Sequence, residues 1–160
     1  MQGTDKSWHC QAFHALSASD VYDILRLRGE VFVVEQACAY LDPDGHDERA
    51  WHWLCRARGE LLAYQRCFAP GVAYAEASSI GRIVVATRAR GRSLGRELVE
   101  RGIRFNFTRW PGHPVRIGAQ ARLQVFYESL GFSVCSEPYL EDGIRHLEME
   151  LAVPRQAAQA

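Results

Sequence analysis

The stretch IGRIVVATRARGRSLGRELVERGIRF, Ile80 to Phe105, restricts the possible folds more than any other part of the chain. An apolar run, Ile83-Val84-Val85, leads into a turn holding Gly91 and Gly95. Leu94, Leu98, Gly102 and Phe105 then recur at helical spacing. The run has too few polar residues to face water, which assigns it to a central strand. A strand that stops at such a turn and restarts as a helix leaves the first helical N–H groups without partners. Those donors, with the positive end of the helix dipole, form an anion site. Glycine lets the backbone approach a phosphate closely. Between Arg82 and Arg104 lie seven arginines against two acids, Glu97 and Glu100. Guanidinium groups on the turn add charge-assisted bonds to phosphate oxygens. The turn therefore suits a pyrophosphate, although neither the P-loop nor the triple-glycine dinucleotide motif is present.

The rest of the chain supplies the frame. Ser7–Phe13 reads as a strand, followed by a helix capped by Ser17 or Ser19 and running through Val21, Leu25, Val31 and Val34. Ala37–Glu48 is loop by its Pro, Gly and Asp content. Ala50–Ala57 and Leu61–Phe68 form a hairpin, and Ile80–Ala86 is the central strand. Val115–Ala119 is a strand, Leu123–Leu130 a helix, and Phe132–Pro138 and Ile144–Leu151 are closing strands. Early hairpins followed by strand–helix alternation predict an α/β (α+β) mixed central sheet with helices on both faces. A chain of 160 residues, 48% hydrophobic, is long enough to bury a core as one domain over residues 1–153, with 154–160 a frayed tail.

The formal net charge is zero, which argues against a general nucleic-acid or membrane-surface role. No apolar run approaches ~18 residues and no secretory pattern opens the chain, so a soluble cytoplasmic protein is expected. The five cysteines are scattered without a Cys-x-x-Cys and read as reduced thiols. DPDGHDE, Asp42 to Glu48, has its glycine in the wrong place for a calcium loop. His46, His52, Cys38 and Cys55 lack zinc spacing, and no metal is expected.

RIVVATRARGRSLGRELV resembles the cofactor-binding motif of the GNAT N-acetyltransferases, Q/R-x-x-G-x-G/A after a strand. Arg90 and Gly95 match its ends, and Ser93 replaces a glycine, a mild departure provided that residue keeps a negative φ. QARLQVFYESLGF, Gln120 to Phe132, is similar to the family's second motif, N-x-x-A-x-x-F/L-Y-x-x-x-G-F. Phe126, Tyr127, Gly131 and Phe132 match it, while Gln120 and Leu123 depart. LRLRGEVFVVEQ and EDGIRH extend the resemblance to the ElaA-like branch.

The resemblance implies acetyl-CoA as co-substrate and an amine acceptor, a small molecule or a lysine-like group. It implies phosphates on Arg90, Gly91, Arg92, Ser93, Leu94 and Gly95, and pantetheine along Ile83, Val84 and Val85. Gln120, Phe126 and Tyr127 would complete the cofactor site, with Tyr127 as general acid beside sulfur. Three residues compete for the base or the acceptor contact. Glu35 ends an apolar stretch where desolvation raises a carboxyl pKa, or is solvated at a helix end. His146 lies on the polar face of its strand, and His52 points opposite Trp51 and Trp53. Asp42, Asp44 and Asp47 beside Glu35 would form an acidic rim that favours a cationic acceptor. Two alternatives stay open, a non-catalytic acyl-CoA sensor and an acyl-homoserine-lactone-type synthase, as does the choice between monomer and homodimer.

Overall fold

A computed structural model describes residues 5–155. Eight strands form one sheet: β1 Lys6–Ala12, β2 Trp51–Ala57, β3 Glu60–Phe68, β4 Ser78–Val85, β5 Val115–Gln120, β6 Ser133–Val134, β7 Tyr139–Glu141 and β8 Ile144–Leu151. The helices are α1 Ala18–Arg28, α2 Leu94–Arg109 and α3 Gln124–Glu128. The spatial order is β1-β2-β3-β4-β5-β8-β6, with β7 also paired to β8. Neighbours are antiparallel except β4 and β5, which run parallel.

The predicted mixed sheet with helices on both faces is what forms. Alternation along β3 sorts the two faces: Tyr64 lies beneath the guanidinium of Arg28 on α1, while the next side chain, Gln65, donates 2.7 Å to the Leu98 carbonyl of α2. Ile24, Leu27 and Val31 pack with Leu54, Tyr64 and Val84. Val99 packs with Cys67, Ile80, Ile117 and Met149.

Ser17 caps α1 through a capping box with Asp20, each satisfying a backbone N–H of the other. The first helix then widens into a π-helical segment, Gly29–Glu35, with bonds such as Cys38 N to Val33 O at 3.0 Å. The expected strand over Phe132–Pro138 shrinks to β6, because pairing with β8 passes to β7. That β7–β8 hairpin turns on Asp142 (φ 49°) and Gly143 (φ 75°), both left-handed, as a type I′ turn requires. The expected third-helix start at Leu123 is a 3-10 turn over Ala121–Leu123 that leads into α3. Pro154 and Arg155 have no regular structure, and 156–160 lie outside the described residues.

Candidate active site

The site exists because β4 and β5 separate. They pair only at their starts, Ser78 with Val115 and Ser79 with Arg116. Asn106 of α2, fully buried, holds this junction by donating 3.1 Å bonds to Ser78 Oγ and the Ser79 carbonyl. Beyond it β4 bulges: Tyr64 and Arg66 of β3 face Val84 and Gly81, so Arg82 and Ile83 oppose Gln65 alone. Arg82 takes a left-handed φ of 49° there, a conformation that costs a non-glycine residue about 1–2 kcal/mol. Asp42 holds it, accepting 2.8 Å from Arg82 Nε on its carboxylate and 2.9 Å from Nη2 on its carbonyl.

The gap widens into a cleft of about 880 Å³. One wall is Ile83, Val84 and Val85, continuing into Arg90, Gly91, Ser93, Leu94 and Gly95, with Phe126 and Tyr127 beside them. The opposite wall comes from Phe32, Glu35, Gln36, Cys38, Tyr40 and Leu41, from Gln120 on β5, and from Glu141, Asp142 and His146. Of the cofactor residues expected from the sequence, only Arg92 is absent from the lining; it is exposed on the turn.

Two details of the turn correct the expectation. Ser93 has φ 57°, and its side chain makes no capping bond. Its replacement of glycine is therefore a strained departure, not a mild one, since the position before α2 requires left-handed backbone. Arg90 is also not free for phosphate. It clasps Glu35 with two bonds, Nη1 to Oε1 at 2.5 Å and Nη2 to Oε2 at 2.9 Å, and its Nε donates to the Val85 carbonyl. Most other arginines of this stretch are paired too: Arg82 with Asp42, Arg88 with Glu60, Arg96 with Glu100 and Arg101 with Glu97. What the turn offers an anion is backbone amides and the helix terminus more than a free arginine cluster.

Tyr127 is 5% exposed, and burial raises its hydroxyl pKa to about 12. Among the described residues its hydroxyl has no hydrogen-bond partner, which leaves the donor available to whatever enters the cleft. Gln120 reaches across to the end of the first helix, donating 3.0 Å to Gln36 Oε1 while accepting from Arg122.

The acceptor-side expectations change most. Glu35 is exposed, and the Arg90 bonds, helped by Thr87, hold its carboxyl below the usual range instead of above it. A carboxylate stabilised in its charged form is a poor base near neutrality, so Glu35 instead ties the end of the first helix to Arg90 on the turn. The acidic rim is likewise neutralised. Asp42, 5% exposed, accepts from Arg28 Nε at 2.7 Å and from Arg82; Asp47 accepts from Arg28 and Arg66 at 2.8 Å each. Asp44 pairs with Arg66 and, at 3.5 Å, with Arg82. Burial by itself would raise Asp44, but hydrogen bonds from Arg66 and the nearby guanidinium charges hold it far below the carboxylate range. Three aspartates matched by three arginines create no net pull on a cation.

His52 is packed away from the cleft. It is 1% exposed, its Nε2 donates 2.9 Å to the Asp47 carbonyl, and its Nδ1 accepts from Tyr64 Oη at 2.7 Å. Burial lowers its pKa, keeping it neutral. His146 does line the cleft, paired in register with Gln120. Its ring stacks on Tyr139 with centroids 5.8 Å apart, and Nε2 is 3.6 Å from Glu141. Sequence reasoning missed Glu141 and Tyr139. The Asp142-Gly143 pair, a strong hairpin signal, was the feature that could have placed them.

An acetyltransferase (GNAT) domain model matches residues 31–153. The chain belongs to the GNAT acetyltransferase family. Protein ElaA of Escherichia coli is 41% identical over 144 residues, 89% of this chain and 94% of ElaA. The crystal structure of ElaA has a TM-score of 0.86, covering 92% of this chain and 99% of that one. An acyl-CoA N-acyltransferase from Pseudomonas aeruginosa is 40% identical with a TM-score of 0.88, covering 92% of this chain and all of that one. The acyl-homoserine-lactone synthase LasI, at 12% identity and TM-score 0.74, shares the fold alone. This GNAT protein thus falls in the ElaA-like branch of acyl-CoA-dependent N-acyltransferases. Among its described residues, no helix is long and apolar enough to cross a membrane, and no group of His, Cys, Asp or Glu could hold a metal ion.

Proposed function

We propose that the protein transfers the acetyl group of acetyl-CoA to a primary amine. The observation that carries this reading is the parting of β4 from β5 beside the Gly91–Gly95 turn, with the unpaired Tyr127 hydroxyl on the same cleft. Pantetheine adds along the open edge of Ile83–Val85, and the pyrophosphate meets the amides from Arg90 to Gly95 at the start of α2. A backbone N–H near Val85 polarises the thioester carbonyl.

Tyr127 acts on the leaving group. Full proton transfer from a hydroxyl at about 12 to a thiolate of pKa ~8.5 is uphill, so the phenol stabilises the departing sulfur by donating a hydrogen bond. The acceptor is a primary amine, small or lysine-like. The matched Asp–Arg cluster removes the reason to require a cationic one. All five cysteines are free, which fits the reducing cytoplasm.

Isothermal calorimetry tests the cofactor site. CoA should bind, more weakly as salt rises. A Cβ at Gly95 would meet Val85 only at 3.7 Å, so Gly95→Glu fits the fold while placing bulk and negative charge against the phosphates. It should weaken CoA by more than about tenfold, or ~1.4 kcal/mol. Unchanged affinity places the cofactor elsewhere, and binding without thiol release in the presence of any amine marks an acyl-CoA sensor.

A further inference from the structure

We infer that His146 is the general base of this transfer, accepting the amine proton on Nε2, and that Glu141 stabilises the imidazolium that results. The inference rests on the acyl-transfer reading above. Its starting point is a fixed tautomer. His146 Nδ1 lies 2.8 Å from the Ile144 carbonyl, which can only accept. In the neutral ring the proton must therefore sit on Nδ1, leaving the Nε2 lone pair unprotonated. The ring is held for that role by Tyr139, stacked at an interplanar angle of 23°, and its side chain keeps only 11% of its surface exposed.

Position agrees with chemistry. His146 pairs with Gln120 at the end of β5. Counting along both parallel strands from the Ser78–Val115 pair, with Arg82 and Ile83 sharing one position at the bulge, brings Gln120 level with Val84, where β4 runs open. His146 thus stands across the gap from the segment assigned to the thioester, on the wall away from Tyr127 and the phosphate turn. Glu35 is tied to Arg90 and His52 is sealed under α1, so neither competes for the proton.

The step balances. The amine nitrogen attacks the thioester carbon, the C–S bond breaks, and CoA leaves as thiolate under the Tyr127 hydrogen bond. The N–H proton passes to His146 Nε2, and solvent exchange returns it while protonating the thiolate. Glu141 Oε2, 3.6 Å from Nε2, is near enough to favour the imidazolium without holding the lone pair in a short bond. The groups facing His146 are Glu141 and Tyr139 from β7, Glu148 on its own strand face and its register partner Gln120 on β5, with Asp142 and Arg122 also lining the cleft.

The test follows thiol release from acetyl-CoA with the fastest of putrescine, phenethylamine and a lysine-ended peptide. His146→Gln should lower kcat by about 10²-fold or more while the KM for acetyl-CoA and calorimetric CoA affinity stay put. Glu141→Gln should lower kcat while keeping part of the rate, because the imidazolium formed in the step loses a favourable charge 3.6 Å away. A His146→Gln enzyme with unchanged kcat overturns the assignment, as does an unchanged kcat in Glu141→Gln. Wild-type protein that binds no CoA overturns the acyl-transfer reading instead, and the base with it.

Discussion

The two walls of the cleft are built by opposite means. The wall proposed for the cofactor is, apart from Phe126 and Tyr127, one continuous run, Ile83 to Gly95, and offers backbone: an open strand edge, a left-handed turn and the start of a helix. Its charged groups are half-exposed ties, such as Arg88 with Glu60 at 52% and 64% side-chain exposure. The acceptor wall is assembled from segments far apart in the chain, and it is held by side chains. Arg28 and Asp42 beneath it are 0% and 5% exposed. Asp42 also pins Arg82 at the bulge that splits the sheet. Binding built from backbone survives side-chain change, whereas a wall held by buried ion pairs does not.

That contrast can be broken most forcefully at Asp42. Asp42→Ala removes the acceptor of two guanidinium groups and leaves Arg28 and Arg82 short of partners. Breaking such a buried pair costs about 3–5 kcal/mol, while Glu60→Ala, which frees the exposed Arg88, should cost under about 1 kcal/mol. Urea unfolding measures both. Similar small losses would show that the acceptor wall does not depend on its ion pairs. On the cofactor side, Tyr127→Phe keeps the ring in its buried seat and removes only the donor. The expected loss in kcat is about 10²-fold with CoA affinity nearly kept, the scale of removing one donor to developing charge in a dry site. An unchanged rate would leave Tyr127 a packing residue.

The same contrast decides how much was legible in the sequence. The cofactor wall could be read because strand, turn and helix are contiguous and announced by Ile83–Val85, Gly91, Gly95 and the Leu94–Leu98 spacing. The central strand, the β2–β3 hairpin and β8 emerged from periodicity with ends shifted by few residues. What stayed hidden depended on long-range pairing. For Glu35 the sequence left a desolvated or a solvated carboxylate open; it is exposed, and the group that sets its charge is Arg90, far along the chain. Asp42, Asp44 and Asp47 looked like a free acidic rim, because Arg28, Arg66 and Arg82 reach them only in the fold. His52 showed its side of the strand correctly, yet nothing local revealed that α1 covers that side.

The smallest effect probes the strain that both walls carry, since Ser93 and Arg82 are each non-glycine residues in left-handed conformation, with φ of 57° and 49°. Ser93→Gly relieves about 1–2 kcal/mol of that strain, while the unfolded chain gains backbone freedom worth about 0.5–1 kcal/mol. The difference is a net stabilisation of at most about 1.5 kcal/mol, a rise in Tm of at most a few degrees for a chain of this size. CoA affinity should hold, because the amides keep their directions. Arg82→Gly relieves the same strain but deletes the guanidinium that Asp42 holds, so the balance reverses and the protein is destabilised. Opposite signs for these two substitutions would confirm that one wall stores its strain in backbone alone and the other compensates it with buried charge. Two stabilisations would instead show that the Arg82 pair contributes less than the strain it accompanies.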